Sequence, residues 1–236
     1  MRLAAMVILL CLAGGASGQP KPQLEPLPEP LPPPLDALMP VRTDGGTWRV
    51  PGTSGIPAGR PAAVLVLVYP DDAGVARVVL IERPSHDDRH HSGEVSFPGG
   101  KAEPEDADAV ATALREATEE VGLDPDSAGV RVVGTLDRLW IPVSDFAVTP
   151  IVALAARRPR LEASPDEVVR ILEPTVATFV PGAPVATVER RIREWTVRYG
   201  HYEVDGLSVW GATARILSQL GAVIARTADA ERHPTV

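Results

Sequence analysis

Cysteine is nearly absent from this 236-residue chain, and Cys11 is its only example. One thiol in a leader-like segment excludes a disulfide framework, thiol catalysis and a cysteine-based zinc site. Basic residues are also in deficit, with 23 Lys and Arg against 31 Asp and Glu, giving a net charge of −8. This balance argues against a general nucleic-acid-binding surface and against binding to an anionic membrane.

Long hydrophobic runs are missing too, and no stable membrane span is predicted. The apolar run at residues 3–13 has eleven residues, too few to cross a bilayer comfortably. Because Arg2 precedes it and small residues follow at 14–18, residues 1–18 resemble a secretory signal peptide. A wrongly assigned start codon on a cytoplasmic protein is the alternative, so the localisation stays open.

The remaining chain divides by composition. Residues 19–40 carry nine prolines in twenty-two positions, a composition that favours extended polyproline geometry and cannot form a core. Residues 41–60 are rich in Gly, Thr and Pro. We therefore predict a disordered linker over 19–60, a folded domain over 61–228 and a short tail over 229–236.

Within the folded domain, the hydrophobic pattern predicts alternating strands and helices. The continuous apolar run at 62–69 indicates a buried strand, followed by a turn at 70–74 and a returning strand at 76–82. Further strands are predicted at 94–97, 130–137, 146–155 and 167–172, with a late hairpin of 188–197 and 201–209 turning at Tyr199-Gly200. A short helix is expected around 175–180 and a closing helix at 211–226.

The most informative element is a helix that the pattern predicts between residue 107 and residue 121. Its apolar positions recur at spacings of 3, 4, 3 and 4, at Ala107, Val110, Leu114, Ala117 and Val121. Asp106 or Asp108 can cap its start, and Gly122 marks its end.

Three acidic residues of this helix, Glu116, Glu119 and Glu120, are predicted on one side, roughly opposite the apolar stripe. A solvated acidic face is the plain interpretation. Gly99 and Gly100, just upstream, favour another, because glycine lets the backbone approach a metal or phosphate closely. Several hard oxygen ligands without His or Cys suit Mg²⁺ or Mn²⁺ and a phosphate-bearing substrate.

At these residues the chain resembles the Nudix hydrolase family. Gly100 begins the family box, and residues 115–123, Arg-Glu-Ala-Thr-Glu-Glu-Val-Gly-Leu, complete it. The chain departs from the family pattern at Asp106, which stands in place of a glutamate, and in the gap before Arg115, which is one residue longer. The resemblance implies an α/β fold, a Nudix-type α/β/α sandwich with a mixed β-sheet.

Motifs outside the box resemble the coenzyme A pyrophosphatase branch of this family. They are Arg89, Gly93 and the Phe-Pro-Gly-Gly sequence at 97–100, then Val-Thr-Pro at 148–150 and Trp-Gly-Ala-Thr at 210–213. Arg83 stands near the first basic position of the same signature, at a spacing one residue longer than the pattern.

The resemblance implies a role for each candidate residue. Glu116, Glu120, Glu119 and the Gly100 carbonyl would hold Mg²⁺ or Mn²⁺, with Glu119 a ligand or the general base. Arg115 would orient the glutamates, and substrate would contact Arg83, Arg89, Gly99 and Gly100.

The implied reaction is cleavage of coenzyme A or acyl-CoA to 4′-phosphopantetheine, or its acyl form, and 3′,5′-ADP. Two alternatives stay open: hydrolysis of ADP-ribose or another nucleoside diphosphate derivative, and a non-catalytic Nudix-like ligand-binding domain. The expected partner is a small nucleotide or coenzyme A substrate, not a nucleic acid. The oligomeric state is undetermined, and a homodimer is one option.

Overall fold

The computed structural model describes residues 27, 31–32, 34–44, 58–84, 94–192 and 195–232. Thirteen strands lie in these residues: β1 Val41–Arg42, β2 Arg60–Pro70, β3 Ala76–Val78, β4 Leu80–Glu82, β5 Val95–Ser96, β6 Gly99–Lys101, β7 Val130–Thr135, β8 Leu139–Ile141, β9 Phe146–Ala155, β10 Arg170–Leu172, β11 Ala186–Ile192, β12 Trp195–Val204 and β13 Leu207–Val209. The α-helices are α1 Ala109–Val121, α2 Pro125–Ala128 and α3 Gly211–Arg232, and 3₁₀ turns cover Asp36–Leu38 and Val176–Phe179.

A six-stranded mixed sheet forms the centre of the fold. Strands β2 and β9 pair in parallel, β3 and β6 add to β2 antiparallel, and β7 and β8 add to β9 antiparallel. Residues 62–69 of β2 are all apolar, as expected of a strand that is covered on both faces. Val66 and Val68 join one core cluster, whereas Leu65 and Leu67 join the other.

The two principal helices cover opposite faces of this sheet. Ala113, Ala117 and Val121 of α1 belong to the cluster of Leu65 and Leu67. Residues of α3 belong to the other cluster, with Leu217, Leu220 and Ile224 among them. The predicted α/β/α sandwich with a mixed sheet is therefore confirmed.

Helix α1 begins and ends as its local sequence dictates. The side chain of Asp108 accepts a hydrogen bond from the Ala111 N–H at 2.9 Å, so Asp108 and not Asp106 is the N-cap. Gly122 ends the helix in the left-handed conformation, with φ 62°. Ala107 precedes the helix and is not part of its apolar stripe.

Two strand predictions need correction. The returning strand predicted at 76–82 is divided at Val79, because β3 pairs with β2 whereas β4 joins β5 and β10 in another sheet. Within the late hairpin, Tyr199 and Gly200 lie inside β12, which pairs with β11 from Ile192↔Trp195 onward.

Gly200 is required for a close backbone approach and not for a turn. A Cβ at this position would lie 2.3 Å from the carbonyl oxygen of Ala37. The reversal after β12 is instead made by Asp205 and Gly206, with φ 49° and 80°. Two consecutive positive φ angles are typical of the tight turns that join hairpin strands.

Part of the segment predicted as a disordered linker packs on the domain. Leu38 is 1% exposed and belongs to the core, and β1 pairs with β12. The Leu35 N–H donates to the Ser218 hydroxyl at 3.0 Å. The linker prediction is therefore wrong for these residues, and α3 extends past residue 228 to Arg232.

The predicted leader at 1–18 lies outside the described residues. None of the helices in the described ranges combines the length and the apolar character that a bilayer crossing requires.

Candidate active site

The site is built where strand β6 meets helix α1. Gly99 pairs with Val64 of β2, and its φ is 153°. A Cβ there would lie 2.4 Å from the Ala63 carbonyl oxygen, so only glycine fits. This close pairing aims the Gly99 N–H at the Glu120 carboxylate, with the nitrogen 2.9 Å from Oε2.

Glu120 is the most deeply buried of the predicted acidic residues, with 2% of its surface exposed. Its carboxylate also accepts a hydrogen bond from Arg83 Nη1 at 3.3 Å. Burial raises the pKa of Glu120 to about 7, against the opposing effects of Arg83 and the Gly99 N–H. Glu120 therefore does not lie on a solvated face, whereas the Glu119 side chain is 51% exposed.

Glu116 lies against the diglycine backbone. A Cβ built on Gly100 would come within 2.5 Å of Glu116 Oε1, so the carboxylate occupies the space that a larger residue would take. Burial raises the pKa of Glu116, and Arg115 opposes that shift.

One acidic residue of this site was not predicted. The charge of Glu167, in the loop before β10, raises the pKa values of both Glu116 and Glu120. Nothing in its local sequence identifies it, because only the fold brings this loop to the helix.

Arg115 organises the acidic residues. Its Nη2 lies 3.0 Å from Glu116 Oε1, and its Nη1 lies 2.9 Å from Glu119 Oε2. Asp106 receives two hydrogen bonds from Arg115, from Nε and from Nη2, each of 3.0 Å. These bonds, with others from the Glu103 N–H and the Thr112 hydroxyl, hold the pKa of Asp106 well below its usual range. Asp106, where the chain departs from the family pattern, therefore anchors Arg115.

The donor set fits a hard divalent cation. Among the described residues, no three acidic, His or Cys side chains are grouped tightly enough to enclose an ion as they stand. The carboxylates of Glu116 and Glu120 nevertheless meet the backbone of the diglycine strand. Both carboxylates have raised pKa values, partly from the negative charges around them. A cation would relieve that repulsion, and oxygen donors alone suit Mg²⁺ or Mn²⁺.

A cavity of about 750 Å³ opens beside β6. Gly99, Gly100 and Arg83 line one part of it, and Trp140 and Trp210 line another. Its charged lining residues are mostly basic, in contrast to the acidic chain as a whole: Arg83, Lys101, Arg190, Arg191 and Arg215 against Glu94. The cavity thus offers room and positive charge for an anionic ligand with a large apolar part.

The structure brings together seven of the predicted site residues: Arg83, Gly99, Gly100, Arg115, Glu116, Glu119 and Glu120. Arg89, the eighth, and Gly93 of the same motif lie outside the described residues.

An acidic helix beside a diglycine strand, on an α/β/α sandwich, is the arrangement expected from the resemblance to a family of phosphoanhydride hydrolases, and sequence comparison agrees with it. The NUDIX domain family matches residues 59–179, just over half of the chain. The chain belongs to the Nudix hydrolase family. It is therefore a metal-dependent hydrolase of nucleoside diphosphate derivatives.

Curated relatives carry the family name. The chain is 38% identical to an uncharacterized Nudix hydrolase, NudL, of Pectobacterium atrosepticum, over 70% of this chain and 83% of that protein. It is 34% identical to the mitochondrial Nudix hydrolase 15 of Arabidopsis thaliana, over 69% of this chain and 58% of that protein. The crystal structure of a Nudix hydrolase from M. smegmatis, RenU, aligns with a TM-score of 0.41 and 23% identity, covering 50% of this chain and 72% of that one.

Proposed function

We propose that the protein hydrolyses the diphosphate of coenzyme A or acyl-CoA, giving 4′-phosphopantetheine or its acyl form and 3′,5′-ADP. One observation carries the proposal. Residues from two motifs that resemble the coenzyme A branch, Phe97 and Gly99 from one and Trp210 and Thr213 from the other, line the same cavity. The Thr213 hydroxyl donates to the Val95 carbonyl at 3.0 Å, which joins the start of α3 to the strand preceding the diglycine.

The cavity supports a substrate of this size and chemistry. Its volume of about 750 Å³ falls within the range typical of ligand pockets. Apolar and aromatic walls suit the pantetheine arm or an acyl chain, and basic side chains suit phosphates. A nucleoside diphosphate derivative without a pantetheine arm or an acyl chain would contact the basic part of the cavity and leave much of its apolar wall without a contact.

Glu116 and Glu120, with the Gly100 carbonyl, would hold Mg²⁺ or Mn²⁺. Such an ion supplies Lewis acid stabilisation of the diphosphate and lowers the pKa of a coordinated water. Arg115 keeps Glu116 and Glu119 oriented through its two ion pairs and is itself held by Asp106. Glu119, exposed beside the buried pair, is a further ligand or accepts the proton of the attacking water.

Arg83 would bind a substrate phosphate. It lines the cavity, and its Nη1 lies 3.3 Å from Glu120 Oε1. A phosphate bound to Arg83 would therefore lie beside the acidic residues. Its planar guanidinium can donate two parallel hydrogen bonds to phosphate oxygens. Arg89 is proposed as a second phosphate contact by its motif alone.

A substrate panel tests the proposal. Purified protein is incubated with coenzyme A, acetyl-CoA, a long-chain acyl-CoA, ADP-ribose and dinucleoside polyphosphates, each with Mg²⁺, with Mn²⁺ or with a chelator. Mass spectrometry detects the products. We expect metal-dependent release of 3′,5′-ADP from the coenzyme A compounds, with a higher kcat/KM than for ADP-ribose or the dinucleoside polyphosphates.

Faster cleavage of ADP-ribose would contradict the proposed substrate and favour the first alternative. Binding of these compounds without any product would favour the non-catalytic alternative. Light scattering on the same preparation measures the oligomeric state, for which a homodimer is one option.

A further inference from the structure

A second, smaller cavity of about 320 Å³ adjoins the cavity of about 750 Å³ beside β6. The larger one is called the substrate cavity from here on, in accordance with the proposed function. Leu139, Arg215 and Ile216 line both cavities, so the two are neighbours separated by these side chains. The smaller cavity is also lined by Arg138, Asp137 and Gln219, and by Pro34. The charged residues of its lining are two arginines and one aspartate.

Arg215 is a half-buried cation that has no hydrogen bond and no salt bridge among the described residues. Its Nε atom is buried and finds no acceptor within the described part of the chain. Burial lowers the pKa of Arg215, and only the charge of Asp137 opposes this shift. A buried donor without an acceptor destabilises a fold, so an acceptor from outside the chain would account for this arginine.

Asp137 is already engaged by another residue. Its carboxylate accepts a hydrogen bond from Gln219 Nε2 at 2.6 Å, and its N–H donates to Gln219 Oε1 at 3.0 Å. Gln219 Nε2 also donates to the Pro32 carbonyl at 3.2 Å. These bonds form a closed local network that leaves Arg215 outside it.

Arg138 is the second cation of the smaller cavity. It is exposed, and within the described ranges no hydrogen bond or ion pair involves its guanidinium. Arg138 and Arg215 thus line the same small cavity, and neither has an ion pair among the described residues. A phosphate in this cavity could accept hydrogen bonds from both guanidinium groups.

We propose that Arg138 and Arg215 form an anion subsite, separate from the acidic site, that binds a phosphomonoester of the substrate. On the proposed function, on which this inference rests, that group is the 3′-phosphate of coenzyme A. Gly99, Gly100 and Arg215 all line the larger cavity, so a ligand with its diphosphate near the two glycines can extend to Arg215, which also lines the smaller cavity with Arg138. Arginine suits this task because its planar fork donates two parallel hydrogen bonds to one phosphate. The subsite would make the enzyme selective for substrates that carry a third phosphate.

Paired substrates test the subsite by activity. The kcat/KM values for coenzyme A and for 3′-dephospho-coenzyme A are compared in the wild type, Arg215→Gln, Arg215→Lys and Arg138→Gln. We expect the wild type to favour coenzyme A by about tenfold or more, and each Gln variant to lose most of that preference through KM. Arg131→Gln, at an exposed position outside both cavities, is the control and should keep the wild-type preference.

A binding measurement without metal provides a second readout. Calorimetry compares 3′,5′-ADP with 5′-AMP, and inorganic phosphate is added as a competitor. Arg215→Gln should weaken binding of 3′,5′-ADP by about tenfold more than it weakens binding of 5′-AMP. If inorganic phosphate competes equally well with 3′,5′-ADP in the wild type and in Arg138→Gln, these arginines do not form the subsite.

These measurements distinguish an enzyme with another substrate from a coenzyme A hydrolase that lacks the subsite. A wild type that cleaves neither coenzyme A compound contradicts the proposed function. A wild type that cleaves both equally, with variants that leave their ratio unchanged, contradicts the subsite alone. Should Arg215→Gln fail to fold, Arg215→Lys and the exposed Arg138→Gln still decide the outcome.

Discussion

The carboxylate of Glu116 lies directly against the backbone of Gly100, where a Cβ would come within 2.5 Å of Oε1. Gly100→Ala should therefore displace a proposed metal ligand while the fold tolerates it, because the end of a flexible side chain can move away. We expect activity to fall about 100-fold, with a change in unfolding free energy below about 1 kcal/mol. Turnover at saturating Mg²⁺ and chemical denaturation measure the two effects.

Gly221→Ala provides the opposite pattern. A Cβ there would meet the Phe179 carbonyl oxygen at 2.1 Å, and backbone cannot move away as a side chain end can. We expect a loss of about 1–3 kcal/mol of stability, with kcat unchanged in the fraction that stays folded. If Gly100→Ala lost as much stability as Gly221→Ala, unfolding would explain its lower activity, and a specific role for Gly100 would be contradicted.

Glu120→Gln should abolish metal-dependent turnover and leave the fold intact. The amide oxygen can still accept the Gly99 N–H, and removing a desolvated charge does not weaken the packing around it. We expect activity to fall by at least about 100-fold, since even residues that only support metal ligands commonly cost that much. Turnover and the shift of Tm on adding Mg²⁺ are both measured, and the shift should disappear.

The control for Glu120→Gln is Glu105→Gln, at an exposed position outside the acidic site. This variant should keep both turnover and the Mg²⁺-induced shift of Tm. Wild-type rates in Glu120→Gln would remove this residue from the proposed metal site.

The acidic helix was predictable because its signals are local. Spacing of its apolar residues, the glycine after its last turn and the clustered glutamates all lie within one short stretch. The burial of Glu120 was not predictable in this way, because the strand that lies against its carboxylate and donates the Gly99 N–H is placed there by the pairing of β6 with β2. The contribution of Glu167 likewise depends on a loop that is distant in sequence.

The late strands show the limit of local turn signals. The sequence pattern predicts a turn at Tyr199-Gly200, yet Gly200 lies within a strand and permits the close approach of Ala37 from a distant segment. The actual turn at Asp205-Gly206 had a strong local signal, an Asp-Gly pair between apolar strands. That Arg215 Nε finds no acceptor among the described residues could not be predicted, because it depends on which side chains the fold brings near it.

Stability at low pH should depend on Asp106. Arg115 holds the pKa of Asp106 below its ordinary value, so the ionised carboxylate favours the folded state above about pH 4. This contribution begins to fall when the pH drops below the ordinary pKa of aspartate, because the unfolded chain then takes up the proton. It is fully lost only when the folded-state carboxylate is protonated as well. Asp106→Asn should therefore be less stable than wild type at pH 7, and the gap should narrow toward pH 2.

Urea denaturation across this pH range measures the gap between Asp106→Asn and wild type. The exposed Asp166→Asn serves as the control and should follow the wild type at every pH. A gap for Asp106→Asn that stays constant with pH would show that its ionic bond with Arg115 is not the cause.

Leu38 tests whether the proline-rich segment is part of the fold. Its side chain is 1% exposed, packs in the core cluster of α3 and lines the substrate cavity. Leu38→Ala should lower the unfolding free energy by about 2–4 kcal/mol, because it removes buried methyl groups and leaves a cavity. Val41→Ala, three residues later and 52% exposed, should change it by less than about 0.5 kcal/mol. Equal effects in urea denaturation would mean that this segment does not stabilise the domain, whereas a raised KM for Leu38→Ala would link the segment to the substrate cavity as well.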